Sequence, residues 1–331
     1  MFEITESLKK SFFQLSIKFL LLRNKSLYFP IYSQAPKYLN FAFPDFSVQY
    51  FMLAIKPNIE YTLEGVIPFD KLNFFSISLY DTLGDTIFNK NDTQLNTDKS
   101  GKYKINIQRK NLCCLIVRFY KKNEYINQDF YSYLPAVSPP HKKISLQERK
   151  KKNETIGNEL TYIISLKNKS DLAHIKKHST FFLPAKSKLD SFFANGNATY
   201  LVVFPTYTIM KVKFKHYPYD KNRRFVGFMA SNFITTATDS SQSFPNKEQD
   251  ITLWVTFRKH EKKLKQIGYK EKKHFLMFWN NSNKSPVLIY RELNVKETKL
   301  SSINNKKTNV YETKLRKIMK DSYPQVEYFN L

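Results

Sequence analysis

The sequence predicts an all-β protein: two tandem antiparallel β-sandwiches with short helices at their periphery. Three observations carry that expectation. The chain holds 29 Phe and 21 Tyr, residue types that suit a pleated, half-buried surface. Short apolar segments alternate with polar residues at period two and are bounded by turn residues. One set of these segments also recurs at a constant spacing along the chain, the mark of an internal repeat.

The repeat is anchored by Pro68-Phe69-Asp70-Lys71, which returns 150 residues later as Pro218-Tyr219-Asp220-Lys221. At the same spacing Tyr50 opens the run YFMLAI and Tyr200 opens YLVVF. Phe75 in FFSISLY corresponds to Phe225 in FVGFMA, and Tyr103, Ile105 and Ile107 correspond to Leu253, Val255 and Phe257. Each segment reads as a strand. In KYKINI (102–107) the apolar residues alternate with Lys102, Lys104 and Asn106, and in MKVKF (210–214) Lys211 and Lys213 face outward. CCLIVRFY, from Cys113, is apolar nearly throughout, as a central strand would be. Its counterpart, VLIYREL at 287–293, aligns Arg118 with Arg291 at a longer spacing. The second copy therefore carries an insertion, HEKKLKQIGYKEKKHFLMFWNNS or near it.

The expected organisation has five parts. Residues 1–28 form an N-terminal helix that Thr5 could cap, with Leu8, Phe12, Leu15, Phe19 and Leu22 on one face. Residues 29–135 form the first sandwich, and 136–156 a basic, Pro-containing linker. Residues 157–295 form the second sandwich, opening on a short helix at 170–178 and carrying the basic insertion at 259–283. Residues 296–331 form a Lys/Asn-rich tail, partly helical near Glu312–Asp321 or disordered. The apolar stretch SFFQLSIKFLLL is too short to span a bilayer and lacks a signal-peptide cleavage site. No transmembrane segment is expected.

Several chemistries lack the residues they need. The seven glycines are scattered singly, so neither a dinucleotide fingerprint nor a P-loop can be written. No serine sits in a G-x-S-x-G elbow. His174 and His178 share a helical face, yet Ile175, Lys176 and Lys177 between them supply no Glu and two repelling cations. Asp70 and Asp220 follow a Pro-aromatic pair ahead of a strand, which is turn chemistry. Arg118 and Arg291 recur at strand ends and read as paired or stacked structural arginines. Cys113 and Cys114 are the only cysteines. As strand neighbours they point to opposite faces, which suits a reducing compartment and inert thiols. No catalytic residue, cofactor or metal is expected, and the location expected is not secreted.

Charge is the remaining signal. The net charge is +26. Residues 1–140 hold 17 Lys and Arg against 12 Asp and Glu, and the remainder holds 37 against 16. Such a field favours an anionic partner, whether nucleic acid or an acidic protein surface, although an A+T-rich coding sequence also produces basic chains. The candidate anion-binding residues fall in two clusters. Lys150, Lys151 and Lys152 lie in the linker, and Lys259, Lys262, Lys263, Lys272 and Lys273 lie in the insertion. The second cluster is interleaved with Tyr269, Phe275, Phe278 and Trp279, and aromatics can stack on bases.

A family resemblance rests on a set of strand motifs. They are Tyr61-x-Leu63-x-Gly65; Phe74, Ser76, Leu79, Tyr80 and Asp81; Asp98, Gly101, Tyr103 and Ile105; and Val117, Arg118 and Tyr120. Across residues 46–120 and 200–293 the chain resembles tandem β-sandwich proteins, mostly bacterial, that carry domains of unknown function. The second copy departs from the pattern, with Trp279 displaced and Ser285 or Pro286 where a Gly is usual. The resemblance implies two jelly-roll-like sandwiches and no established activity. Jelly-roll pairs also build the capsids of large DNA viruses. The expected function is thus a non-catalytic structural or interaction role, with a virion component as one form of it and a cytoplasmic or virion-associated location. The alternatives are a polyanion-binding protein and an enzyme of unrecognised type with a cleft between the sandwiches.

Overall fold

The computed structural model describes residues 29–31, 48–139, 179–184, 195–205, 208–232, 237–241, 244–279, 286–296 and 309–329, with a few isolated positions between them. The helices expected at 1–28 and 170–178, and most of the linker, lie outside the described residues. The protein is mostly β and divides into two compact units.

The first unit holds β1 (Phe29–Ile31), β2 (Val48–Ile55), β3 (Glu60–Val66), β4 (Leu72–Tyr80), β5 (Thr86–Asn91), β6 (Lys102–Gln108), β7 (Cys113–Lys121) and β8 (Ala136–Ser138). They form a five-stranded sheet, β1-β2-β7-β4-β5, and a three-stranded sheet, β6-β3-β8. All pairings in both sheets are antiparallel. The alternation read in KYKINI appears as strict exposed–buried alternation along β6. Its inward residues Tyr103, Ile105 and Ile107 join Tyr61, Leu63, Phe75, Ile77, Val117 and Phe119 in one core. Each such side chain, fully buried, contributes roughly 1.5–3 kcal/mol. β7, flanked by β2 and β4, is buried along its whole length, which is why its sequence lacks alternation. β8 comes from residues that composition assigns to the linker, and it pairs Leu63 with Val137.

The second unit holds β9 (Ala198–Val203), β10 (Ile209–His216), β11 (Arg223–Asn232), β12 (Ala237–Ser241), β13 (Gln249–Phe257), α1 (Glu261–Leu264), β14 (Phe275–Trp279), β15 (Pro286–Asn294), α2 (Glu312–Met319) and β16 (Gln325–Phe329). Its sheets run β12-β11-β15-β9 and β14-β13-β10-β16. The first repeats the path β5-β4-β7-β2, and β13-β10 repeats β6-β3. Phe181, Leu201, Val212, Phe214, Phe228, Leu253, Val255 and Tyr290 fill the core between them.

The registers test the repeat residue by residue. Tyr50 lies opposite Arg118 in β2–β7, and Tyr200 lies opposite Arg291 in β9–β15. Both sequence equivalences therefore hold together. The equivalence of Phe75 with Phe225 does not. Arg118 faces Ser76 while Arg291 faces Gly227, so Phe75 corresponds to Val226. The inward residues agree: Phe75, Ile77 and Leu79 in one unit, Val226, Phe228 and Ala230 in the other. The extra residue is absorbed just before β11. There Asp220 Oδ1 accepts from the backbone N–H groups of Asn222 (2.6 Å) and Arg223 (2.7 Å), a side-chain-closed turn one residue longer than the corresponding turn before β4.

The two edge strands of the β14-β13-β10-β16 sheet have no forerunner in the sequence reading. β14 arises inside the insertion and runs parallel to β13, Trp254 facing Leu276. β16 lies in the tail and pairs with β10, Lys211 facing Glu327. The helix expected near Glu312–Asp321 is α2, which buries Leu315 against the second core. Among the described residues no helix is long and apolar enough to cross a membrane.

Candidate anion-binding face

The two copies differ most where β13 ends. In the first unit residues 109–112 join β6 to β7, whereas in the second residues 258–285 join β13 to β15. The early part of that longer connection folds back on the outward face of the β14-β13-β10-β16 sheet. Leu264, at the end of α1, is fully buried against Trp254 and Ile209, with Ile267, Tyr269, Leu276 and Phe329 packed around them. A backbone bond from Tyr269 N to the Leu264 carbonyl (2.9 Å) closes the turn through Gly268, whose φ of +99° is easy only for glycine.

His274 fixes the other end. Its Nδ1 accepts from Trp254 Nε1 at 3.2 Å and from the Lys270 backbone N–H at 3.0 Å. Two donors at Nδ1 place the ring proton on Nε2. Partial burial, then Lys211, Lys270, Lys273 and Lys213, hold His274 below the ordinary histidine value. The insertion is thus an anchored cover, apolar below and charged above.

Its outer surface is strongly basic. Arg258, Lys259, Lys262, Lys263, Lys265, Lys270, Lys272 and Lys273 are all exposed, and Glu261 and Glu271 are the acids among them. Lys265 and Glu271 approach to 4.0 Å, a separation at which an exposed pair contributes little. β10 adds cations that the candidate set lacked. Lys211 lies 5.1 Å above the Trp254 ring centroid and 3.3 Å from Glu327, and Lys213 lies 3.8 Å from the same carboxylate. The alternation of MKVKF marks both as outward; only the register shows that they border the insertion.

The five insertion candidates, Lys259, Lys262, Lys263, Lys272 and Lys273, thus share one connection and are exposed. Lys150, Lys151 and Lys152 lie outside the described residues. The interleaved aromatics do not form a stacking platform. Tyr269 packs edge-on to Trp254, Phe275 packs on Phe244 at 4.9 Å, and Arg258 covers Phe278 at 4.5 Å. Trp279 is buried. Their apolar rings go to the sheet because burial there outweighs exposure on the plate.

The other singled-out residues take structural places. Arg118 lies inside β7 rather than at its end, 2% exposed, donating to Ser78 Oγ and Tyr80 OH at 2.8 Å each and stacking near Tyr50. Arg291, likewise inside β15 and 2% exposed, lies over Tyr200. Asp220 is a turn acceptor whose backbone bonds from Arg223 and Asn222 hold its carboxyl below the usual value. Asp70 sits in the matching turn, its carbonyl accepting from Lys122 Nζ at 2.6 Å. Cys113 and Cys114 are both buried, and burial raises both thiols. His174 and His178 lie outside the described residues. Among the described residues no group of three or more His, Cys, Asp or Glu is placed to hold a metal ion.

Composition hid two buried bases. Lys121 donates to the carbonyls of Ile126 (2.6 Å) and Gln128 (2.9 Å), and burial lowers it to about 8 against the opposing pull of Asp129. His216 sits among Phe214, Tyr219 and Phe244, and burial, aided by Arg223, lowers it to about 4. A first-unit groove of about 780 Å³ is open rather than enclosed, and it is lined by Gly65, Thr97, Tyr103 and the Glu64–Lys104 ion pair at 2.8 Å.

No family model matches the chain, and no curated protein matches it. Among solved structures, an uncharacterised protein of Burkholderia cenocepacia superposes with a TM-score of 0.54 at 10% identity, covering 99% of this chain and 91% of that one. A protein of Vibrio parahaemolyticus gives a TM-score of 0.45 at 9% identity, covering 97% of this chain and 98% of that one. The Burkholderia structure carries the fold over nearly the whole chain, in line with the bacterial, unknown-function resemblance of the strand motifs.

Proposed function

We propose that this protein has a non-catalytic interaction role, in which the second sandwich presents a basic face to a polyanion of the nucleic-acid backbone type. The observation that carries the reading is the insertion itself: eight exposed Lys and Arg against two Glu at 258–273, on a connection that in the first copy is only residues 109–112. Features common to both copies, such as the Tyr50–Arg118 and Tyr200–Arg291 pairs, support the fold, with Tyr50, Arg118 and Arg291 buried and Tyr200 half-buried. The copy-specific feature is solvent-facing, and its apolar underside holds it in place. Because Tyr269, Phe275, Phe278 and Trp279 are occupied by packing, recognition would run through charge and not through base stacking.

The test is fluorescence anisotropy with labelled duplex DNA, titrated with salt. Binding should weaken steeply, log K falling with log salt at a slope of about −0.9 for each phosphate contacted. Replacing Lys262, Lys263, Lys272 and Lys273 together by Gln should flatten that slope by about 3 to 4 while leaving the exposed backbone undisturbed. Failure to bind at low salt, or binding indifferent to salt, overturns the proposal.

A further inference from the structure

His274 has a place in the structure that a generic basic loop would not need. Trp254 Nε1 and the Lys270 N–H both point at its Nδ1, and the His274 N–H returns to the Lys270 carbonyl at 2.9 Å. One imidazole therefore ties the sheet, through Trp254, to the last turn of the insertion. Only the neutral ring can do this, since an imidazolium carries N–H on both nitrogens and accepts nothing. We propose that His274 is a proton-operated latch: neutral, it holds residues 258–274 on the β13 face; protonated, it lets that segment go.

The surroundings make the latch responsive to an anion. The charged and titratable groups around the ring are Lys211 and Lys213 on β10, Glu327 on β16 paired to both, and Tyr269, Lys270, Glu271 and Lys273 on the insertion. β13 contributes Trp254, and β14 contributes the apolar Leu276. The excess is cationic, and it opposes a proton on His274. A polyanion lying on these lysines would remove that opposition. Binding should then draw a proton onto His274, and by reciprocity acid should tighten binding. This functional consequence rests on the polyanion reading above; the latch itself does not.

The sign follows from which state takes the proton. The released ring titrates near the ordinary value of about 6.5, and the latched ring titrates lower. Above about pH 6.5 both are neutral and the latch is closed. As pH falls below that value the released state is favoured, by up to about tenfold per pH unit, until the latched ring also titrates.

Hydrogen exchange on the full chain tests the latch without any ligand. Amide protection in 258–274, corrected for the intrinsic rate, should drop by up to about tenfold per unit between about pH 6.5 and 5, while β10 and β13 stay protected. His274→Asn keeps an acceptor near the Nδ1 position and cannot titrate, so its protection should be flat with pH. Trp254→Phe removes one donor to the neutral ring and should move the release to higher pH. A wild type without the step, or a step that persists in His274→Asn, overturns the latch. Should His274→Asn fail to fold, an unmoved midpoint in Trp254→Phe overturns it instead.

Duplex DNA anisotropy at about pH 7.5, where the latch is closed, separates the two ideas. No binding there defeats the polyanion reading and leaves the latch standing. Salt-sensitive binding with pH-independent exchange defeats the latch alone. Where both hold, affinity should rise on acidification in the wild type and rise less in His274→Asn.

Discussion

Tyr103 and Gly65 face each other across β6 and β3, and the pair shows how a single missing side chain shapes a core. The phenol ring crosses over the glycine. A Cβ built on Gly65 would meet the Tyr103 hydroxyl at 2.7 Å. That hydroxyl is buried and meets no hydrogen-bond partner among the described residues, and burial raises the phenol well above its ordinary value. A buried, unpaired hydroxyl costs about 1–3 kcal/mol. Tyr103→Phe should therefore stabilise the first unit, by about 1 kcal/mol. Gly65→Ala should destabilise it by about 1–3 kcal/mol through overpacking. Tyr103→Phe should recover part of that loss in the double variant, because the oxygen is the closest atom. Urea unfolding of the four proteins closes the cycle, and an additive result would show that the contact is not real. The alternation of KYKINI already placed Tyr103 inward. Its partner could not be read, because Gly65 becomes its neighbour only through the β3–β6 register. Asp220 was the opposite case. Its turn role was legible from Pro218 and Tyr219 before it, since turn chemistry is local.

At the scale of elements, what was legible divides along the same line. β6, β7, β10 and β13 announce themselves by period or by unbroken apolarity, both properties of the segment alone. β14 and β16 do not. FLMFW is apolar without alternation because β14 sits at a sheet edge with the insertion folded over Leu276. QVEYF gains its strand from β10, whose open side it covers. The basic insertion was legible as charge but not as structure, because the residue organising it, Leu264, is one apolar position among lysines. That position yields a prediction. Leu264→Ala should cost about 2–4 kcal/mol of anchoring, a loss taken locally rather than by the whole unit, since α1 is short and otherwise exposed. Exchange at the Tyr269 amide, bonded to the Leu264 carbonyl, should accelerate by at least about tenfold while β13 amides hold. Equal acceleration in β13 would mean that the insertion belongs to the core and is no separable plate.

For the molecule as a whole, the repeat was legible because Pro68-Phe69-Asp70-Lys71 returns as Pro218-Tyr219-Asp220-Lys221 and Tyr50 as Tyr200 at one spacing; the registers add the partnership of Tyr50 with Arg118 and of Tyr200 with Arg291. A pattern found twice in one chain is its own control. The distribution of charge was legible too, but its consequence for stability needs the fold. The second unit, residues 168–189 and 197–331, carries 30 Lys and Arg against 12 Asp and Glu. Of its described ion pairs Arg223–Glu292 is sheltered and the others are exposed on at least one partner, where they offset little. Like charges held on one compact body repel, and salt screens them over about 10 Å at 0.1 M. The second unit should therefore melt higher as NaCl rises from about 10 to 150 mM, by a few degrees on the usual scale of about 2–8 °C per kcal/mol. The first unit, with 24 Lys and Arg against 16 Asp and Glu, should respond less. The chain reports the difference unaided. Both tryptophans, Trp254 and Trp279, lie in the second unit, so tryptophan fluorescence follows that unit alone while circular dichroism follows both. Sucrose, which strengthens burial without screening charge, should raise both signals together. A tryptophan transition that ignores NaCl while sucrose still moves it would show that the charges are too well dispersed to repel, and would weaken the case for a single basic face.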